Sequence, residues 1–288
     1  MPHAPLAGET ISGSDAASLA RKEAVLDCAL RELPSLIVAY SGGVDSAYLA
    51  YAAHRALGAG ALAVTADSPS YPERHRLLAL RLAHEFGFNH LVIQTAEMSR
   101  PEYRANPANR CYYCKHELYT HLSTIAAERG IPVIADGSNA DDRGDYRPGR
   151  EAAREFGVRS PLDEAGLTKN EIRELSRRAG LPTWNEPASA CLSSRIPYFS
   201  EVTDEKLRMI ERAENVLRDM GFRICRVRHH DTIARLELGR EEIARALEPA
   251  IGEAIDRELR AIGYAHVTVD LRGYRLGSLN DALRLREV

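Results

Sequence analysis

The segment Ser41-Gly42-Gly43-Val44-Asp45-Ser46 constrains the fold of this chain more than any other stretch. It follows the apolar run 36–40 and precedes a helix-compatible segment at 47–53, which gives the order strand, glycine-rich turn, helix. Two adjacent glycines allow a tight turn, and the backbone N–H groups that begin a helix are free to bind an anion. Ser41 and Ser46 add hydroxyl groups, and Asp45 adds a carboxylate for a magnesium ion. The sequence therefore predicts a phosphate-binding loop over residues 41–46.

This loop is not a Walker A loop, because that pattern ends in Gly-Lys-Ser/Thr and no lysine stands at the matching place. It resembles instead the S-G-G-x-D-S loop of the ATP pyrophosphatases, enzymes that split ATP between its α- and β-phosphates. The alternative is an ordinary strand-to-helix turn rich in serine and glycine. A second glycine pattern, Gly58-x-Gly60-x-x-Ala63, precedes a strand instead of following one, so we do not interpret it as a dinucleotide fingerprint.

The charge balance and the hydrophobic pattern argue against nucleic-acid and membrane partners. The 288 residues are 44% hydrophobic and carry a net charge of -3, with 38 basic and 41 acidic side chains. This balance provides no broad basic surface, so we expect no nucleic-acid partner. No apolar run is long enough to cross a bilayer, and residues 1–14 lack the layout of a signal peptide, so we expect no membrane partner and a cytoplasmic location. In that reducing compartment the five cysteines are thiols or ligands rather than disulfides.

Apolar runs alternate with helical patterns over the first two thirds of the chain. We expect strands at 36–40, 61–66, 90–94 and 131–135, and helices from Asp15 and at 46–57, 72–86 and 115–129. This order predicts an α/β fold, with a parallel sheet and helices on both faces. A smaller C-terminal α+β unit is expected to contain helices at 203–220 and 240–260 and strands at 222–228, 232–238 and 265–271. We divide the chain into a flexible tail at 1–14, a nucleotide domain at 15–195 and a substrate or oligomerisation domain at 196–288.

Functional residues are expected after the strands, because ligands of parallel α/β sheets bind beyond the carboxyl ends of the strands. Thr65 and Ala66 follow the second strand and are expected to edge the ATP pocket. The stretch Asp136–Asp142 follows the fourth strand. We expect the Gly137 backbone to contact ATP, and Asp136 and Asp141 to bind magnesium. A solvated acidic turn is the alternative for this stretch.

The pair Cys111-Tyr112-Tyr113-Cys114 is the first cysteine feature. A thioredoxin-type redox pair would need a different fold context, and a structural zinc site would need two further ligands. An iron–sulfur site can use three cysteines when one position of the cluster stays open. Two ordinary thiols before a helix that starts at Lys115 are the remaining interpretation.

Cys191 is the second cysteine feature, in the segment Pro187-Ala188-Ser189-Ala190-Cys191-Leu192-Ser193-Ser194-Arg195-Ile196-Pro197. It stands among small residues in a loop without apolar periodicity, four positions before Arg195. Because a nearby positive charge favours the thiolate, we expect Cys191 to be reactive and Arg195 to assist it. An inert linker cysteine is the alternative.

Arg226 and Arg228 share one face of a predicted strand, because strand side chains alternate between two faces. Two guanidinium groups on one face suit a substrate phosphate or carboxylate. Cys225 and Val227 then lie on the core face. An exposed basic strand face without a ligand is the alternative.

These motifs occur together and in this order in one family. The loop at 41–46, the stretches 66–69 and 136–142, the segment 190–197 and the pair Arg226 and Arg228 resemble the LarE family, sulfur transferases that help to build the nickel-pincer nucleotide cofactor of lactate racemase. The resemblance covers about residue 20 to the C-terminus. It implies ATP-dependent thiolation of pyridinium-3,5-biscarboxylic acid mononucleotide, with ATP and Mg²⁺ as cofactors.

The resemblance also assigns roles to single residues. It implies that Asp45 supports formation of an acyl-adenylate, and that Cys191 then gives its sulfur to the acyl carbon and becomes dehydroalanine. Ser194 joins Arg226 and Arg228 at the substrate phosphate or carboxylate. Because this chain also has Cys111 and Cys114, it resembles the three-cysteine branch, in which three thiolates hold a [4Fe-4S] cluster that carries an extra sulfide. The family further implies a homo-oligomer, such as a hexamer, and a downstream nickel-inserting enzyme as the acceptor of the product.

Three other functions remain open on the sequence alone. A tRNA-thiolating enzyme also joins this ATP loop to cysteines, but it would need a basic face. An ammonia-using ATP pyrophosphatase synthetase would not need Cys191. A nucleotide-binding sensor without catalysis would leave the segment from Cys191 to Arg195 without a role.

Overall fold

The computed structural model describes residues 13–144, 148–187, 190–275 and 277–280. Its α-helices are α1 (Gly13–Arg31), α2 (Val44–Leu57), α3 (Glu73–Glu85), α4 (Pro101–Arg104), α5 (Arg110–Arg129), α6 (Gly149–Glu155), α7 (Pro161–Glu164), α8 (Lys169–Arg178), α9 (Asp204–Asp219), α10 (Ile243–Ala246) and α11 (Pro249–Ile262). Its strands are β1 (Leu36–Ala39), β2 (Ala61–Asp67), β3 (Asn89–Gln94), β4 (Ile134–Ala135), β5 (Cys225–His230), β6 (Ile233–Leu238) and β7 (His266–Val269). None of the helices in these ranges is long and apolar enough to cross a membrane.

The first four strands form a parallel sheet in the order β3-β2-β1-β4. All four residues of β1 and the first five of β2 are buried, as expected for strands covered on both faces. One face packs on α1, α2, α3 and α8, and the other packs on α5 and α6. The predicted α/β class is confirmed.

The strand order reverses between β1 and β4, because the chain runs outward through β2 and β3 and then returns to the other side of β1. At such a switch point the two following loops diverge and leave a crevice for a ligand. The loop after β1 is 40–43 and the loop after β4 begins at Asp136. The two predicted ATP-binding stretches therefore meet at this crevice.

The C-terminal part forms a second sheet in the order β5-β6-β7, with β5 antiparallel and β7 parallel to β6. Its core includes Leu217 of α9, Val227 of β5 and Leu259 of α11, all fully buried. Cys225 is in the same core, as its alternation with Val227 predicts. This smaller unit is the predicted α+β part of the chain.

A separate apolar cluster joins the two parts. Leu192, the first residue of a short 3₁₀ turn at Leu192–Arg195, and Ile196, which follows that turn, pack against Tyr103 of α4 and Leu207 of α9. The cysteine-bearing segment is therefore held in the junction between the two sheets, although the exact division at 195 and 196 stays a prediction.

Several predicted boundaries differ from the structure. The first helix begins at Gly13, two residues before the expected start at Asp15, and residues 1–12 of the predicted tail lie outside the described residues. The helix expected from Lys115 begins at Arg110 instead. The helix expected at 240–260 is divided into α10 and α11, because Pro249 begins a new first turn. The strand expected from 222 begins at Cys225.

Candidate active site

The loop after β1 is closed by its own serines. The Ser41 backbone N–H donates to Ser46 Oγ at 3.1 Å, and Ser46 Oγ donates to the Gly43 carbonyl at 3.2 Å. Tyr71 adds a hydrogen bond from its hydroxyl to the Ser41 carbonyl at 2.9 Å. The Ala47 N–H donates to the Gly43 carbonyl at 2.8 Å and closes the first turn of α2, so the N–H groups before it in that turn can bind an anion, which the helix dipole also favours.

Two glycines allow the backbone conformation and the close contacts of this loop. Gly42 has a φ of +64°, and a Cβ there would lie 2.8 Å from Ala79 Cβ on α3. A Cβ at Gly137 would lie 2.9 Å from the Ser46 backbone nitrogen. Both positions therefore require glycine, and Gly137 brings the loop after β4 against the start of α2. This places the predicted ATP contacts of Gly42, Gly43 and Gly137 in one crevice.

Asp45 pairs with a lysine that we did not predict from the sequence. Lys169, the first residue of α8, places its Nζ 2.5 Å from Asp45 Oδ2. The other oxygen, Asp45 Oδ1, is buried and has no hydrogen-bond partner among the described residues. Burial raises the pKa of the Asp45 carboxyl, and the Lys169 ammonium opposes that increase. A carboxylate oxygen and an ammonium group thus meet beside the phosphate loop, where they suit a metal ion and a phosphate.

The capping box of α8 was the available signal for Lys169. Thr168 accepts from the Glu171 backbone N–H, and the Glu171 side chain accepts from the Thr168 backbone N–H. This box fixes the helix start and hence the position of Lys169. The Asp141 carboxylate accepts from the Lys169 backbone N–H at 2.8 Å, so the loop after β4 contributes to the same arrangement.

The predicted magnesium carboxylates Asp136 and Asp141 have different partners. Asp136 is buried and accepts from the hydroxyls of Tyr119 and Ser160, whereas Asp141 caps the start of α8. No three His, Cys, Asp or Glu side chains in the described ranges are grouped closely enough to hold one metal ion. Because Mg²⁺ commonly uses one or two carboxylates together with substrate phosphates, a site that forms with ATP needs no complete protein cage.

Thr65 lies in the sheet and not at its edge. It is 1% exposed, and its hydroxyl donates to the Tyr40 carbonyl at 2.8 Å and contacts His90 Nε2. Its side chain therefore supports the strands, contrary to the expected contact with ATP. Ala66 is half-buried near the carboxyl end of β2, where an edge of the nucleotide pocket is expected.

Cys111 and Cys114 lie in the first turn of α5, three positions apart and hence on one side of the helix. The surrounding protein raises the pKa of both thiols, although part of Cys111 is exposed, and a negative charge on Cys191 raises both pKa values further. The three predicted ligand cysteines therefore influence one another electrostatically. Cys28 is exposed on α1 and takes no part in this interaction.

Arg110 links the start of α5 to the Cys191 segment through hydrogen bonds. The side chain is 3% exposed, and its Nη1 donates to Asn106 Oδ1 and, at 3.0 Å, to the Ser193 carbonyl. Asn106 in turn donates to the Pro197 and Ser200 carbonyls at 2.7 and 3.0 Å. The start of α5 and the Cys191 segment are therefore tied together, and the Arg110 charge opposes the increase in the pKa of Cys111.

Arg195 holds the Cys191 segment by its backbone. Its Nη1 donates to the carbonyls of Ala190 and Cys191 at 2.7 and 2.9 Å, and its Nε donates to Glu214 at 2.8 Å. The side chains of Arg195 and Glu214 are 2% and 1% exposed. Arg195 thus positions the cysteine through its backbone. The Cys191 charge is among the causes that raise the pKa of Arg195, so the two groups interact, and the predicted assistance of Arg195 to the thiol stays a prediction. Residues 188–189 of this segment lie outside the described residues.

The predicted substrate arginines have different environments. Both side chains are buried, which contradicts the alternative of an exposed basic face. Arg228 is engaged inside the protein: its Nη1 donates to the Ser194 carbonyl at 2.6 Å and its Nη2 to Glu237 at 2.7 Å. Ser194 donates its own hydroxyl to the Cys191 carbonyl at 2.7 Å. Arg226 instead lines a cleft between the two parts of the chain.

That cleft contains further arginines that we did not predict. Arg74 reaches it from α3, Arg218 from α9, and Arg223 from the turn before β5. They escaped sequence reasoning because they belong to separate elements and follow no motif.

Comparisons with known proteins agree with these features. No protein-family model matches the chain. An uncharacterised protein of Synechocystis sp. is 45% identical over 88% of this chain and 94% of its own length. The pyridinium-3,5-bisthiocarboxylic acid mononucleotide synthase of Lactiplantibacillus plantarum is 38% identical over 93% of this chain and 96% of its own length.

More distant similarity extends to nucleotide synthesis. One of the subunits of the glutamine-hydrolysing GMP synthase of Methanopyrus kandleri is 27% identical over 64% of this chain and 62% of its own length. This relationship agrees with the parallel sheet and the phosphate loop after β1. With a curated relative that matches it over almost its whole length, the chain belongs to the LarE family of sulfur transferases.

Proposed function

We propose that this chain is an ATP-dependent sulfur transferase that adenylates a carboxylate of pyridinium-3,5-biscarboxylic acid mononucleotide and converts it to a thiocarboxylate. The observation that carries the proposal is the meeting of a phosphate loop, Asp45 and Lys169 at the switch point of the sheet. The similarity to a named bisthiocarboxylic acid mononucleotide synthase supplies the substrate class.

In the first step the substrate carboxylate attacks the α-phosphorus of ATP, and pyrophosphate leaves. The N–H groups at the start of α2 would bind the phosphates, and Lys169 would neutralise charge on the leaving group. Asp45 is the first candidate ligand for Mg²⁺, because its Oδ1 is buried without a partner in the described structure. The ion would stabilise the charge that develops on the phosphate oxygens.

In the second step sulfur replaces AMP at the acyl carbon. If Cys191 is the donor, its thiolate attacks this carbon and AMP leaves, forming a thioester. Loss of the Cys191 Cα proton with breakage of the Cβ–S bond then gives the thiocarboxylate and dehydroalanine. Such a protein would give up its sulfur once.

A [4Fe-4S] cluster is the second sulfur source that we propose, on the resemblance to the three-cysteine branch. The charge of Cys191 influences Cys111 and Cys114, and Arg110 places a positive charge near Cys111 and Cys191. Cys111, Cys114 and Cys191 would be the ligands and would leave one iron open. When bound, such a cluster would supply a sulfide to the activated carboxyl group, so Cys191 would not be consumed. The protein's own part would be to hold the thiols and the acyl group together.

An ammonia-using synthesis, as the GMP synthase relatives suggest, would leave the cysteine group without a use. The same holds for a sensor that only binds ATP. We also propose from the family resemblance that the protein is a homo-oligomer, that it acts in the cytoplasm, and that a nickel-inserting enzyme accepts its product.

The test combines two measurements on protein purified without oxygen. Iron and acid-labile sulfide are measured first, and pyrophosphate release and thiolated product are then followed with Mg²⁺-ATP and the substrate. We expect Cys191→Ala to abolish sulfur transfer and to retain pyrophosphate release, and Cys28→Ala to retain both. Iron that disappears in Cys111→Ser would establish the cluster, whereas no iron would indicate that Cys191 is consumed. No pyrophosphate release from the wild type in the presence of substrate would refute the proposal.

A further inference from the structure

A cleft of about 570 Å³ lies between the two parts of the chain. Its walls are α3, the segment 182–187, the end of α9 and the start of β5. Small-molecule sites usually measure ~300–1,000 Å³, so this cleft has room for a mononucleotide. The side chains that matter for its chemistry are those of Arg74, His75, Trp184, Arg218, Arg223 and Arg226.

The cleft has an excess of positive charge. Its described lining contains four arginines and one carboxylate, that of Glu186, whose Oε2 lies 3.8 Å from Arg74 Nη2. Burial and the charges of Arg218, Arg74 and Arg226 together lower the pKa of His75 to about 4, so this imidazole is neutral at pH 7. Several guanidinium groups in the lining of one cleft suit a ligand with several negative charges.

The wall that carries Trp184 is held in place by two other arginines. Arg173 of α8 donates from Nη1 to the Trp184 carbonyl at 2.5 Å and from Nη2 to the Glu186 carbonyl at 2.7 Å. Arg223 donates to the Asn185 carbonyl at 3.2 Å across the cleft entrance. Trp184 is 36% exposed and is the one tryptophan of the sequence. A large aromatic side chain is thus kept at the surface of an arginine-rich cleft.

Two arginines beside the cleft interact with residues of the ATP loop and of the Cys191 segment. Arg173, which holds the Trp184 wall, lies within the electrostatic influence of Asp45 in the ATP loop. Arg226, at the opposite wall, is close enough to Arg195 for the two charges to repel, and Arg195 holds the Cys191 backbone. The lining of the cleft is therefore connected, through Arg173 and Arg226, to side chains of both the ATP loop and the Cys191 segment.

We propose that this cleft binds the pyridinium mononucleotide, with its arginines on the phosphate and carboxylate groups and Trp184 against the pyridinium ring. The assignment rests on the substrate class of the proposed function. The ring itself carries a positive charge and would be repelled by four guanidinium groups. Among the described lining residues, the exposed face of Trp184 is the group that attracts a flat cation, because tryptophan gives the strongest cation–π interaction. The pocket would thus distinguish a pyridinium ring from a neutral ring.

Trp184 also provides a direct test, because a pyridinium ring accepts an electron from excited indole and quenches its fluorescence on contact. The wild type is titrated without ATP with nicotinic acid mononucleotide, a pyridinium mononucleotide with one carboxylate. We expect saturable quenching that ribose 5-phosphate reverses without quenching by itself. Mg²⁺-ATP alone should leave the fluorescence unchanged. No quenching by the pyridinium nucleotide, or quenching by Mg²⁺-ATP alone, would overturn the assignment.

Calorimetric titrations of variants distinguish the contribution of the ring contact to the affinity from that of the phosphate and carboxylate contacts. Arg74→Ala and Arg223→Ala should each weaken the affinity for the pyridinium nucleotide about tenfold, and Trp184→Ala should do the same while Trp184→Phe retains most of it. Arg81→Ala is the matched control, because Arg81 is also an exposed arginine of α3 but pairs with Glu85 outside the cleft. Equal affinities for Arg74→Ala and Arg81→Ala would count against the cleft.

The result is independent of the test of function. If the wild type produces the thiocarboxylate but its fluorescence does not respond to the nucleotide, the substrate binds elsewhere and the proposed function stands. If the fluorescence responds but no pyrophosphate is released with the biscarboxylate substrate and Mg²⁺-ATP, the binding assignment stands and the proposed function fails.

Discussion

Lys169 is the basic side chain that pairs with Asp45 of the predicted phosphate loop. Without ligand it neutralises Asp45, and with Mg²⁺-ATP bound the metal would take the carboxylate and leave the ammonium for the phosphates. We expect Lys169→Ala to reduce pyrophosphate release by about 100-fold or more, in line with the loss of one charged group at a developing charge. The measurement is pyrophosphate release with saturating substrate.

The control for Lys169 is Lys22→Ala. Lys22 of α1 is a similarly exposed lysine that also binds a carboxylate near the start of α8, that of Glu171 at 2.8 Å. Its removal should change pyrophosphate release less than about threefold, because an exposed ion pair away from the reacting groups contributes little. Equal losses in the two variants would mean that Lys169 supports only the helix.

His75 should make the fold sensitive to acid. Its pKa is lowered from 6.5 to about 4 by burial and by Arg218, Arg74, Arg226 and Arg195. Because the pKa of the folded state lies below that of the unfolded state, the stabilisation is complete above pH 6.5 and is lost as the pH falls toward 4. We expect His75→Gln to recover about 2 kcal/mol of the loss in unfolding free energy between pH 7 and pH 4.5.

Urea denaturation of both proteins at the two pH values measures this difference. His84→Gln is the control, because His84 is exposed on the same helix, and it should leave the difference between the two pH values unchanged. If the difference in unfolding free energy between the two pH values is the same in His75→Gln as in the wild type, protonation of His75 does not contribute to the acid sensitivity.

Among the elements, the strands were predictable and the start of α5 was not. The run that forms β1 is apolar throughout and the buried run of β2 is apolar except for Thr65, so their composition identifies them. Arg110 to Cys114 shows no apolar periodicity, and this turn is held by contacts of Arg110 with Ser193, 83 residues away. Such contacts are not visible in a local pattern.

In the candidate site, too, the local motifs were predictable and the long-range contacts were not. The glycine-rich loop and the pair Cys111 and Cys114 are local motifs that a sequence pattern can identify. The role of the cysteines as ligands stays a prediction. The pairing of Lys169 with Asp45 spans 124 positions, and Arg228 is engaged by Glu237 on the neighbouring strand. Strand alternation correctly placed Arg226 and Arg228 on one face, but the register that brings Glu237 opposite Arg226 follows from the fold.

The first turn of α5 is the element on which sulfur transfer should depend. Arg110→Ala would remove the ties to Asn106 and Ser193, and the two cysteine segments would no longer be held together. We expect this variant to lose its iron, if iron is bound, and at least about tenfold of its sulfur transfer, while pyrophosphate release stays near the wild-type rate. Iron content and both reactions are measured on the same preparation.

Arg104→Ala is the control for this element. Arg104 ends α4, a few residues before α5, and forms an exposed ion pair with Glu201. Its removal should leave both reactions intact. If Arg110→Ala also retains sulfur transfer, the cysteines reach the substrate without the support of this turn.

On the scale of the whole molecule, one buried carboxylate connects the two parts of the chain. Glu214 of α9 accepts from Arg195, which holds the Cys191 segment, and from Arg218, which lines the cleft. Burial alone would raise the pKa of Glu214, but Arg195, Arg226 and Arg218 lower it to about 2. The carboxylate is therefore charged at every pH at which the protein would work, and three guanidinium groups depend on it.

Replacing this carboxylate by an amide should destabilise the junction. In Glu214→Gln the buried Arg195 keeps its charge but loses its partner, and breaking a buried pair in this way costs about 3–5 kcal/mol. We expect urea denaturation at pH 7 to show a loss of that size, and Glu205→Gln, an exposed change in the first turn of the same helix, to cost less than about 1 kcal/mol. Equal stabilities for the two variants would mean that water or another group compensates Arg195. A large loss would establish that the segment bearing Cys191 is held in place by the C-terminal part of the molecule.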